Sequence, residues 1–190
     1  MTMRPGIRKF ALTAHVTASV GWLGAVAGSM AIAVAAMTSE DPQVVRGAYL
    51  ILELTGWYVL VPLAFASLLT GLVQSLGSTW GLFRHYWVLF KLLMNLFATV
   101  VLLLYMQTLS YLAGLAADTT SSGAGLSVLK SPTAVIHAGG AMLLLLVAVT
   151  LSVYKPRGMT RYGQRKQQDR GARPQSASAL LQPQPALSKP

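Results

Sequence analysis

The sequence predicts an all-α, polytopic membrane protein, a bundle of four transmembrane helices with the N- and C-termini cytoplasmic. Three observations predict it. The chain of 190 residues is 54% hydrophobic and 11% charged, whereas soluble domains carry about 25% charged residues. Its apolar residues gather into four runs, each long enough at ~1.5 Å per residue to cross the ~30 Å hydrocarbon layer of a bilayer. The basic residues are one-sided. Three Lys and Arg precede the first run, two lie at the second turn (Arg84, Lys91), eight follow Tyr154, and the two remaining loops hold one each, Arg46 and Lys130. Such an excess marks the cytoplasmic side.

Residues 1–9 form a short basic leader carrying Arg4, Arg8 and Lys9. The first span, 10–37, contains one ionisable side chain, His15, and a face of Gly21, Gly24 and Gly28 suited to a close helix contact. At 28 residues it is about twice a signal-peptide core, so it reads as an anchor. Glu40, Asp41 and Pro42 end that run. The second span, 49–76, holds Glu53, Gly56 and Pro62, and the proline predicts a kink. Around the turn at 77–85, Trp80, Phe83, Tyr86 and Trp87 read as an interfacial aromatic belt. The third span, 86–113, contains Lys91, Asn95 and Gln107. A Gly/Ser/Thr loop over 114–132 leads to the fourth span, 133–154, with His137 and Thr150. One transmembrane domain thus occupies 10–154. The basic tail, 155–190, is rich in Pro, Gln and Ser without periodicity and is expected to be disordered.

The net charge of +10 belongs to topology and to anionic lipid at the tail. A nucleic-acid partner is not expected, because aromatic residues are not interleaved with the basic ones. The chain has no cysteine, which removes disulfides, thiolate metal sites and iron–sulfur ligation. No phosphate-cradling glycine loop, metalloprotease histidine pair or catalytic serine elbow is present.

Ionisable groups inside a bilayer are costly, so they face the bundle interior or reach the interface. His15 and Lys91 each lie five residues into a span from the cytoplasmic side, and Ser67, Thr70 and Gln74 share one face of the second helix. An inner polar cluster of His15, Ser19, Thr70, Gln74, Lys91 and Asn95 is predicted, with Lys91 also free to snorkel. Near the outer side, Glu53 and His137 are expected at one depth as a polar pair, or else each reaches interfacial water. His85, beside Arg84 at the interface, suits a solvated face. The methionines are scattered and read as core filling.

The segment HVTASVGWLG, from His15 through Trp22 to Gly24, resembles the first-helix signature of a loose group of small bacterial membrane proteins. The group includes CopD-type copper-resistance domains, HemJ-type protoporphyrinogen oxidases and an uncharacterised, largely actinobacterial family of four-helix integral membrane proteins. The run KLLMNL from Lys91 is similar to a later helix of that group, and the resemblance covers 10–113. It implies a bacterial cytoplasmic membrane and a b-haem site, with His15 as axial ligand and Lys91 as second ligand or porphyrin-carboxylate partner. Trp22, Gln74, Asn95 and His85 would stand around them. Leu89 occupies the place of a further histidine in the HemJ pattern, so haem binding is implied more directly than oxidase activity. Copper transport would need the soft ligands that this chain lacks. His15 and His137 lie near opposite faces and cannot share one iron, so a second histidine would be His85 or would come from a homodimer. Two functions therefore stand side by side: a haem-binding redox protein, or a non-catalytic scaffold or accessory subunit that meets a membrane-complex partner or its own copy.

Overall fold

The structure, a computed structural model, describes residues 3–77, 85–118, 123–154 and 158, 160, 164 and 165. Arg84, Trp80, Phe83 and nearly all of the basic tail lie outside the described residues. Helix α1 (Pro5–Thr38) starts ahead of its apolar run, with Arg8 and Lys9 on its first turns. Pro5 suits that start, since the first helical N–H has no intrahelical partner to lose. The break after α1 is only Ser39–Asp41. Helix α2 (Pro42–Thr55) begins earlier than the apolar run suggested, because Asp41 caps it: Asp41 Oδ1 accepts from the Gln43 N–H at 2.8 Å. Val45, Ala48, Tyr49 and Leu52 then form one buried stripe.

From Gly56 to Leu60 the helix widens into a π segment, and α3 (Val61–Gly77) continues it. Pro62 explains the change. It has no N–H to offer the carbonyl four residues back, and its ring would strike that carbonyl. In the π segment Val61 N–H reaches instead to Gly56 O, so the expected kink takes the form of a π-bulge. Helix α4 (Tyr86–Ala117) outlasts its expected end, and within the expected loop a short helix α5 (Gly123–Leu129) forms. Tyr49 pins α5, its hydroxyl donating to Leu129 O at 2.6 Å. Helix α6 (Thr133–Tyr154) has the bounds expected of the fourth span.

Four helical rods result, each long and apolar enough to cross a membrane. α1 packs against α2, α3 and α6, and α4 packs against the same three, so the α2–α3 rod and α6 face each other across the α1–α4 diagonal. Among the described residues the protein is all-helical. The core has one buried cluster near α5, around Val45, Tyr49, Met106 and Leu112, and another at mid-bundle, around Trp22, Val26, Ala64 and Leu145. Leu104, Leu143 and Val153 remain 62–71% exposed on the outer surface, where lipid tails take the place of packing.

The glycine face of α1 is not a helix crossing. Trp22, Val26, Ser29 and Ala33 are the residues α1 turns inward. Gly24 and Gly28 lie about half a turn away, and a Cβ on either would meet nothing within 4 Å. Only Gly21 touches a neighbour, its Cβ position 3.6 Å from the Leu63 methyl groups.

Candidate functional site

One end of the bundle gathers the start of α1, the end of α3, the start of α4 and the end of α6. There His15 Nδ1 lies 3.1 Å from Ser67 O and 3.2 Å from Thr70 Oγ1. A carbonyl only accepts, so Nδ1 carries the proton and Nε2 is the open nitrogen of the neutral ring. The Thr70 hydroxyl donates to Ala66 O at 2.5 Å, which leaves its lone pair for the same Nδ1–H. Ser67 is the hub of the cluster. Its carbonyl takes His15, while its hydroxyl pairs with Ser19 Oγ at 2.9 Å and accepts from Asn95 Nδ2 at 3.4 Å. Three helices, α1, α3 and α4, meet at this 3% exposed serine. Thr99, one turn beyond Asn95, returns its hydroxyl to Asn95 O at 2.8 Å.

The imidazole fits there because residue 71 is glycine. A Cβ at Gly71 would stand 2.9 Å from His15 Cε1 and 3.3 Å from Nδ1. His15 is therefore packed flush against the α3 backbone. Sequence reasoning placed Ser67 and Thr70 on this face but passed over Gly71. The available signal was a glycine four residues after Ser67 on the same polar stripe.

The predicted cluster is assembled in part. His15, Ser19, Thr70 and Asn95 join, through Ser67. Lys91 turns the other way, donating to Ser152 Oγ on α6 at 2.9 Å with its ammonium 4.7 Å from the Trp87 ring centroid. That is a cation–π contact combined with an interhelical hydrogen bond. Gln74 makes no side-chain hydrogen bond among the described residues. His85 caps the start of α4 and is 9% exposed, tilted against Trp87 at 6.3 Å, so it does not lie on a solvated face. Trp22, 2% exposed, sits in the mid-bundle core.

The outer pair does not form. α2 and α6 pack mainly on α1 and α4, and among the described residues no hydrogen bond or ion pair joins Glu53 to His137. His137 instead donates Nδ1–H to Thr133 O at 2.9 Å and stacks on Tyr105, with ring centroids 3.9 Å apart and planes 13° from parallel. At the same end, Arg46 on α2 reaches Ala116 O at 3.3 Å and Asp118 O, and Lys130 pairs with Glu40 at 3.0 Å.

A cavity of about 290 Å³ opens between α1, α4 and α6, bounded on α2 by Leu52. Trp22, Ser29, Tyr105 and His137 line it, and neither His15 nor Lys91 does. Ser29 Oγ and Tyr105 OH are buried with no hydrogen-bond partner, an arrangement that costs about 1–3 kcal/mol per group. Sequence reasoning missed both, because Ser29 and Tyr105 are ordinary residues in apolar runs. Of the two proposed haem ligands, His15 is half-buried with its ring packed on Gly71, and Lys91 is hydrogen-bonded to Ser152 on α6. Among the described residues no group of three His, Cys, Asp or Glu side chains is placed to hold a metal ion.

Fold and site together define a polytopic, all-helical protein with four candidate membrane spans and a polar junction at one end. Compared with family models, curated proteins and solved structures, the chain matches none.

Proposed function

We propose that the protein is a non-catalytic multi-pass scaffold or accessory subunit of a bacterial cytoplasmic membrane, with both termini inside. One observation carries this reading: the polar side chains that resemble a cofactor site are spent between helices, His15 on Ser67 and Thr70 and Lys91 on Ser152. Interhelical bonds of this kind hold membrane bundles together. The orientation rests on the basic excess at the ends of the chain. The tail, with eight Lys and Arg after Tyr154, would meet anionic lipid or a partner subunit.

The deciding experiment is an absorption spectrum of protein expressed with ample haem, oxidised and dithionite-reduced, beside His15→Ala. A featureless spectrum, with His15→Ala melting at lower temperature, is the expected result. A Soret band with reducible α and β bands that His15→Ala abolishes would overturn the scaffold reading and make His15 a b-haem ligand. Reporter fusions at each loop test the orientation: cytoplasmic activity at 38–48 or 114–132 would refute it.

A further inference from the structure

Helix α4 carries an amide on its lipid-facing side. Gln107 is exposed and makes no hydrogen bond among the described residues. By the helical rise it lies roughly 24 Å beyond Lys91 and roughly 16 Å before Asp118, the charged residues that bracket this span. A hydrocarbon layer of ~30 Å set anywhere between those two charges contains it. The Asn95 amide, on the inward side of the same helix, reaches Ser67 Oγ, and the exposed Thr150 hydroxyl on α6 returns to Leu146 O. Gln107 has neither solution. A primary amide offers N–H donors and an acceptor oxygen, and a hydrocarbon tail satisfies none of them.

The surface around Gln107 is also spaced for a partner helix. Phe97, Val100, Leu104, Gln107, Tyr111 and Gly114 follow one another by alternating steps of three and four residues, the period of a left-handed helix pair. The four large apolar members are 46–64% exposed. A Cβ at Gly114 would meet nothing within 4 Å, so that end of the seam is open to a close neighbour. We infer that this seam pairs with the same seam of a second copy of the chain, through reciprocal hydrogen bonds between the two Gln107 amides. The amide singles out that occupant. In a closed dimer of copies inserted the same way, the two-fold axis runs along the membrane normal and sets each seam residue beside its own counterpart at one depth. An amide is self-complementary in that position, each Nε2–H donating to the other Oε1. A different membrane protein would have to bring a matching group to this depth, whereas a second copy does so by symmetry. The pairing rests on the scaffold reading for its purpose and on the α4 span for its geometry, whichever side is cytoplasmic.

The chain has no cysteine, so single cysteines report the contact without further changes. In the membranes of the expressing cells, Leu104→Cys and Tyr111→Cys should each cross-link to a species of twice the chain mass under copper phenanthroline. Leu143→Cys on α6, where the native side chain is 68% exposed, should not. Sedimentation equilibrium of the full chain in density-matched detergent should give a monomer–dimer equilibrium. In Gln107→Leu its dissociation constant should rise about tenfold, the loss of roughly one net interhelical hydrogen bond. Gln107→Asn, which keeps the amide, should restore association. Helical circular dichroism and SDS stability should be the same in all three, because Gln107 bonds to nothing within its own chain. Cross-linking at Leu143→Cys but not at the seam would overturn the choice of face. Seam cysteines that join a chain of another mass and never their own copy would overturn the second copy in favour of a different membrane protein. Equal dissociation constants for wild type and Gln107→Leu would overturn the amide pair. A haem spectrum from protein that still cross-links through the seam would overturn the scaffold reading alone and support the pairing.

Discussion

Gly71→Ala places a methyl group where the His15 ring stands. The added Cβ would lie 2.9 Å from Cε1, 3.3 Å from Nδ1 and 3.7 Å from Nε2, whereas carbon contacts settle at about 3.5–4.0 Å. The ring would have to retreat by roughly 0.5–1 Å. It is not a flexible tip, because Nδ1 is held at 3.1 Å from Ser67 O and 3.2 Å from Thr70 Oγ1. A retreat of that size stretches both contacts past bonding distance. Overpacking costs about 1–3 kcal/mol, and an interhelical polar contact in a membrane is worth about 0.6–1.7 kcal/mol. Alanine returns up to about 1 kcal/mol in helix propensity. The expected net loss is about 1–3 kcal/mol. In a His15→Ala background the obstacle is gone, and the same Gly71→Ala change should be neutral or stabilising by up to about 1 kcal/mol. The difference between backgrounds, about 1–4 kcal/mol, is the coupling that a double-mutant cycle measures. Unfolding by SDS titration in mixed micelles, followed by helical circular dichroism, reads it. A Gly71→Ala penalty equal in the two backgrounds, with coupling below about 0.5 kcal/mol, would refute the packing of His15 on the α3 backbone.

Gly24→Ala and Gly28→Ala, where an added Cβ meets nothing within 4 Å, should leave SDS stability within about 0.5 kcal/mol or raise it. A loss above about 2 kcal/mol would show that α1 packs through its glycine face. Tyr49→Phe leaves Leu129 O without its 2.6 Å donor and should cost about 1–3 kcal/mol; faster amide exchange in α5 than in α6 checks that the loss is local. Glu40→Gln removes an ion pair whose carboxylate side chain is 93% exposed, and stability should be unchanged within the error of the titration.

The spans were legible because each satisfies a condition that length and hydropathy state outright. α6 follows Pro132 and runs apolar to Tyr154, so its bounds coincide with the expected ones. The other spans exceed their apolar runs at one end or both, since helices extend into water when a local signal supports them: Pro5 at the start of α1, the Asp41–Pro42 cap of α2. α5 was not legible, because a seven-residue helix is held by a distant hydroxyl, that of Tyr49. Within the bundle, depth was readable and azimuth was not. His15, Asn95 and the Ser67–Thr70 stripe met because they lie at one level and face inward. Glu53 and His137 were expected at one level too, but that α2 and α6 pack mainly on α1 and α4 rather than on each other cannot be read from counting residues. Lys91 shows a further gap: its four-carbon stem lets the charge choose between α3 and α6, and a Trp87 ring with a Ser152 hydroxyl decided it.

The π segment also sets the phase of the polar junction. Along the second rod the inward residues are Leu52, Gly56, Leu60, Ala64 and Ser67, and the first four are spaced by three successive steps of four. In an ideal α-helix each such step drifts about 40° from the starting face, so Ala64 and Ser67 would have rotated well away from α1. One extra residue in a π turn absorbs about one residue of that drift. Pro62, by forbidding the ordinary bond to Tyr58 O, provides the reason for the bulge at this position. Ser67 and Gly71 consequently face His15 rather than lipid. The proline that looked like a lesion in a span is what lets one helix present an apolar stripe to α4 near the loops and a serine–glycine face to α1 at the other end.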